Sequence, residues 1–125
     1  MNPFDEIFAS LRQIMLNAAE GQVVARDLPG DLVVRTRRLD PKTAVPGWFG
    51  IVNIKKSYVA YHLMGLYENP DLGAGISEEL KKRRQGKSCF NFRKSDPALF
   101  DELARLSEAA NRLVLARDRQ RPPEG

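Results

Sequence analysis

The chain is poor in the residues from which most recognisable sites are made. Of its 125 residues, one is cysteine, one is histidine and one is tryptophan. A single thiol, Cys89, closes no internal disulfide and is best tolerated in a reducing compartment, so the cytoplasm is the expected location. One histidine with no cysteine at ligand spacing makes no zinc site. No apolar run reaches the ~20 residues of a membrane span, because Arg, Lys or Asp breaks each candidate. The opening Met1-Asn2-Pro3-Phe4-Asp5-Glu6 has neither the basic region nor the apolar stretch of a secretory leader, so export is not expected. Paired carboxylates, a nucleophile–base–orienter set and metal-ligand spacing are also lacking. Gly73-Ala74-Gly75 is not followed by a phosphate-binding pattern. A non-enzymatic protein without a cofactor is therefore the expected class.

The remaining composition is that of a folded domain. Hydrophobic residues make up 42% and charged residues 29%, with a formal net charge of +4. That balance supports one domain around one core and permits weak attraction to phosphate-rich partners.

Periodicity places the elements. Phe4, Ile7, Phe8, Leu11, Met15 and Ala18 form one helical stripe. Asn2 is the expected cap and Pro3 the first helical residue, with Asp5 and Glu6 suited to the positive end of the dipole and Gly21 as a stop. Val23 to Gly30 ends in a Pro-Gly-Asp turn signal and reads as a connection. Leu32 to Arg38 predicts a strand with Val34 and Thr36 on one face and Arg35 and Arg37 on the other. Prolines and a glycine between Asp40 and Gly47 predict a loop. Trp48 to Ile54 and Tyr58 to Met64 predict a hairpin around Lys55-Lys56-Ser57. Two- and three-residue loops both fit, which leaves the residue opposite His62 open. Leu66 to Ile76 reads as a long loop. Ser77 caps a short helix running from Glu78 and Glu79 to its stop at Gly86. Ser88 to Phe92 alternates, turning Phe90 and Phe92 inward and Cys89 and Asn91 outward. Asp96-Pro97 opens a final helix carried by Leu99, Leu103, Leu106, Ala110 and Leu113. With no repeated βαβ unit, the expectation is an α+β domain over residues 1–116. Its antiparallel sheet is packed with N-terminal and C-terminal helices on one face. Residues 117–125 are expected to be a flexible basic tail.

Several residues carry candidate chemistry. His62, with Trp48, Tyr58 and Tyr61, forms a candidate ligand pocket, although a lone histidine on a strand is more often a packed structural residue. Cys89, with Lys87 on the same strand face, has the makings of an activated thiol, against the commoner role of a small buried hydrophobe. Lys81, Lys82, Arg83, Arg84 and Lys87 are the densest positive run. Together with Lys55, Lys56, Arg35, Arg37 and Arg38 they outline a candidate phosphate or nucleic-acid surface, with Trp48, Tyr58 and Tyr61 for stacking. Cations near a helix C-terminus are equally expected from the dipole, and no reader motif accompanies them. The apolar hairpin also points to a homodimer as a possible partner arrangement.

The stretch WFGIVNIKKSYVAYHLMGLYENP from Trp48, then GISEELKKRRQGKSCFNF from Gly75 and the leucine-bearing helix from Asp96, resembles the YdhG-like family of small bacterial domains. The likeness covers about two-thirds of the chain, and its most telling segment is Gly86-Lys87-Ser88-Cys89-Phe90-Asn91-Phe92. It implies a small α+β fold with an antiparallel sheet and supplies no catalytic residues. One branch is described as a frataxin-like iron chaperone, which would imply iron held by surface carboxylates. Here the acidic residues are scattered, and Asp5 and Glu6 are accounted for by the helix start. A ligand- or partner-binding module is the leading expectation, with iron binding and weak nucleic-acid binding as alternatives.

Overall fold

The computed structural model describes residues 3–39, 42, 44 and 46–120. Helix α1 spans Asp5–Ala18 and buries Ile7, Phe8, Leu11, Met15 and Ala18. Pro3 stands before this helix and Phe4 occupies its N-cap without a side-chain bond. Asn2, the expected cap, lies outside the described residues. Gly21 follows with φ +87 and reverses the chain, a conformation that glycine adopts at little cost.

Six antiparallel strands form one sheet. They are β1 (Val23–Leu28), β2 (Asp31–Leu39), β3 (Pro46–Ile54), β4 (Val59–Leu63), β5 (Arg84–Gln85) and β6 (Cys89–Phe92), in the spatial order β1-β2-β3-β4-β6-β5. Four differences from the sequence expectation stand out. The stretch read as a connection is the edge strand β1, exposed along its whole length. The helix expected to run to Gly86 ends after one turn, α3 (Glu78–Lys81), and Arg84–Gln85 turn back as a strand. The loop after β4 contains a turn of helix, α2 (Gly65–Glu68), and a 3-10 turn (Pro70–Gly73). The final helix, α4 (Pro97–Gln120), continues past the expected boundary at Ala116, and Arg117 donates to Glu68 at 2.9 Å. Residues 121–125 of the expected tail lie outside the described residues, as do Asp40, Pro41, Thr43 and Val45 of the expected loop.

The β3–β4 register pairs Ile54 with Val59, so the turn is made by Lys55 to Tyr58, closed by the Lys55 N–H to the Tyr58 carbonyl at 2.7 Å. This places Ile51 opposite His62. Ser77 caps α3 through the Leu80 N–H, and Asp96 caps α4 through the Leu99 N–H.

Helices α1 and α4 lie on one face of the sheet. Leu11 and Met15 from α1 and Leu103 and Ala110 from α4 close over Leu32, Val34, Val52, Leu63, Phe90 and Phe92. Each large side chain so buried contributes roughly 1.5–3 kcal/mol. Met15 sits over Gly50, where an added Cβ would meet the Met15 thioether and stand 2.9 Å from the His62 carbonyl oxygen. Val114 takes the buried position that the leucine spacing assigned to Leu113, which is 43% exposed.

Polar groups inside this layer are paired. Tyr61 OH and Ser107 Oγ are 2.6 Å apart, and Ser107 also bonds the Leu103 carbonyl. Gln22 donates to Asn111 at 2.8 Å and accepts from the Arg37 N–H, while Asn111 donates to the Glu20 carbonyl. One amide pair thus joins the end of α1, strand β2 and helix α4.

Candidate functional site

Strand alternation sends every second side chain to the face that the helices leave open. There the pairs Asp31–Asn53, Val33–Ile51 and Arg35–Trp48 lie side by side across β2 and β3. Arg26 stands opposite Val33 from β1, and Lys55 follows the end of β3. Together these residues line a hollow of about 640 Å³, within the ~300–1,000 Å³ range of small-molecule sites.

The floor is apolar and the rim is charged. Arg35 lies 3.6 Å over the Trp48 ring and donates through Nη1 to the Pro46 carbonyl at 2.7 Å. Two contacts on different sides fix its guanidinium. Arg26 is neutralised by Asp31 at 3.0 Å. Among the described residues, Arg35 and Lys55 have no carboxylate partner. Asn53 supplies the one buried side-chain polar atom without a hydrogen-bond partner among the described residues, its Oδ1.

His62 and Cys89 continue the open face beyond Ile51, paired across β4 and β6. Burial lowers the His62 pKa from the ordinary imidazole value, and the nearby charge of Lys55 lowers it further. Burial raises the Cys89 pKa against the opposing effect of Lys55 and a backbone contact from Tyr61. The thiol donates to Asn91 Oδ1 at 3.3 Å, and Asn91 donates onward to Gln85 at 2.6 Å. His62 and Cys89 share no hydrogen bond. A neutral imidazole beside a protonated thiol is not an activated nucleophile.

The residues singled out in the sequence separate into four places. Trp48, His62 and Cys89 share the open face. Tyr61 does not join them, because it points the opposite way into the core, where burial raises its phenol pKa and its bond to Ser107 partly offsets the rise. Alternation therefore keeps Tyr61 out of the pocket expected to join it with His62, Trp48 and Tyr58. Tyr58 closes the β3–β4 turn, half-buried. Lys87 lies in the β5–β6 turn with its ammonium 5.6 Å from the Tyr67 ring, not on the strand face of Cys89.

The basic run likewise divides. Lys81 pairs with Glu78 at 3.2 Å, Lys82 with Glu79 at 3.5 Å, and Arg84 donates twice to the Lys87 carbonyl. Arg83 uses its backbone to bond Leu80 and Asn91. These groups gather near β5, three strand spacings or roughly 14 Å from β3. Arg26 and Asn53 were missed as site residues. The cross-strand partnership of Arg35 with Trp48, which their separate strands do not reveal, is what would have pointed to them.

Among the described residues no group of three or more His, Cys, Asp or Glu is placed to hold a metal ion. No helix there is long and apolar enough to cross a membrane. No family model, curated protein or solved structure matches the chain.

Proposed function

We propose that the chain is a cytoplasmic, non-enzymatic binding module, kin to the YdhG-like domains, that takes its ligand on the open face of the sheet. The observation that carries this reading is the hollow across β1, β2 and β3, where a stacked Arg35–Trp48 pair faces an apolar Val33–Ile51 floor and an unpaired Asn53. Such a floor with a few fixed polar groups is what small-molecule recognition needs. The protonated thiol and neutral imidazole further along the face support binding over covalent chemistry.

Amide chemical shifts recorded against a fragment collection of mixed charge test the proposal. Shifts should concentrate on Val33, Ile51, Asn53 and the Trp48 indole N–H. A collection that moves only residues near β5, or none, would sink it.

A further inference from the structure

On the premise that the hollow binds a ligand, we infer that it takes a small organic anion with a flat apolar body and a hydrogen-bond donor beside its charged group. Charge gives the first part. Arg26 has its counterion in Asp31, while Arg35 bonds only a neutral carbonyl and Lys55 has no ion-pair partner among the described residues, which leaves two cations uncompensated around one cavity. Arg35 is held at the Trp48 end by the ring and the Pro46 carbonyl, so it adds positive charge to the cavity without needing to contact the anion, which falls to Lys55 at the other end.

Shape gives the second part. Between the Asp31–Asn53 pair and the Arg35–Trp48 pair the hollow extends about 13 Å along β2. Its floor between them is Val33 and Ile51. A flat apolar group covers that floor, and Trp48, still 43% exposed with Arg35 on its ring, offers aromatic surface at one end.

Asn53 gives the third part. A buried acceptor without a partner is costly, and among the described residues Asn53 Oδ1 is the one such side-chain atom. Turned toward the cavity, that oxygen accepts from an N–H or O–H. Lys55 follows the same end of β3, so the donor belongs next to the anionic group.

Four probes separate these requirements: N-benzoylglycine, its neutral amide N-benzoylglycinamide, N-methyl-N-benzoylglycine without the N–H, and inorganic phosphate. Binding is read from the emission of Trp48, the chain's one tryptophan, and from the side-chain amide signals of Asn53. N-benzoylglycine should saturate, with the neutral amide at least tenfold weaker, the N-methyl compound several-fold weaker, and phosphate without effect. Lys55→Met, at an exposed position, should remove most of the preference for the anion. Equal affinity for N-benzoylglycine and its amide overturns the anion assignment while leaving the binding-module reading intact. Equal affinity for the N-methyl compound overturns the role of Asn53. Phosphate competing as well as N-benzoylglycine overturns the flat body. Failure of all four to bind overturns the ligand class, and the fragment survey above then decides separately whether the face binds at all.

Discussion

The two faces of the sheet are built from alternate residues of the same strands and do different work. On β4, Tyr61 is sealed beneath α4 and bonded to Ser107, while its neighbour His62 stands half-buried on the open side. On β6, Phe90 is in the core and Cys89 and Asn91 belong to a polar chain across the open side. The covered face is mostly apolar, with its few polar groups paired within the layer, because the helices exclude water there. The open face mixes Trp, Arg, Asn, His and Cys because its side chains need only be partly dehydrated. Stability should therefore be concentrated on one face and recognition on the other.

The sharpest break of that comparison pairs neighbours. Phe90→Ala should destabilise by about 3–5 kcal/mol in urea unfolding, as for other buried aromatics. Cys89→Ala, one position away, should cost less than about 1 kcal/mol. Equal losses would mean that the open face is as tightly packed as the covered one. Next in size, Tyr61→Phe should cost about 1 kcal/mol through the Ser107 bond. A double-mutant cycle with Ser107→Ala should return a coupling of that order, and additive losses would show the pair to be idle.

The smallest effect concerns pH. Because the folded pKa of His62 lies below the ordinary value of 6.5, the unfolded chain binds the proton more readily. Stability then falls as pH drops below about 6.5. His62→Gln should flatten this slope between neutral and mildly acidic pH. Lys55→Met should raise the His62 pKa, followed by imidazole proton shifts, without restoring it fully, since burial is the larger cause.

Alternation made much of this architecture readable before any coordinates. Val34 and Thr36 against Arg35 and Arg37, and Phe90 and Phe92 against Cys89 and Asn91, fall on the sides their spacing indicates. The same rule, applied to consecutive Tyr61 and His62, separates two residues that their chemistry had suggested grouping. Strand β1 was illegible for a physical reason: it buries neither face, and the register shift between Val24 and Arg26 breaks its period, so no apolar rhythm marks it. With β1 unassigned, a hollow walled by Arg26 could not be drawn, although Arg35, Trp48 and Lys55 were each already of interest. Strand β5, two residues long, is too short to carry a period at all.

The helix layer draws on segments far apart in sequence. Gln22 reaches Asn111 across 89 positions, and Asn111 reaches back across 91 to Glu20. During synthesis the sheet emerges from the ribosome with its apolar side covered only in part, by α1, and stays so until α4 follows. Such long-range closure slows folding and leaves the nascent chain dependent on shielding for that interval, so truncation within α4 should yield aggregates where equally short cuts in an exposed loop would not.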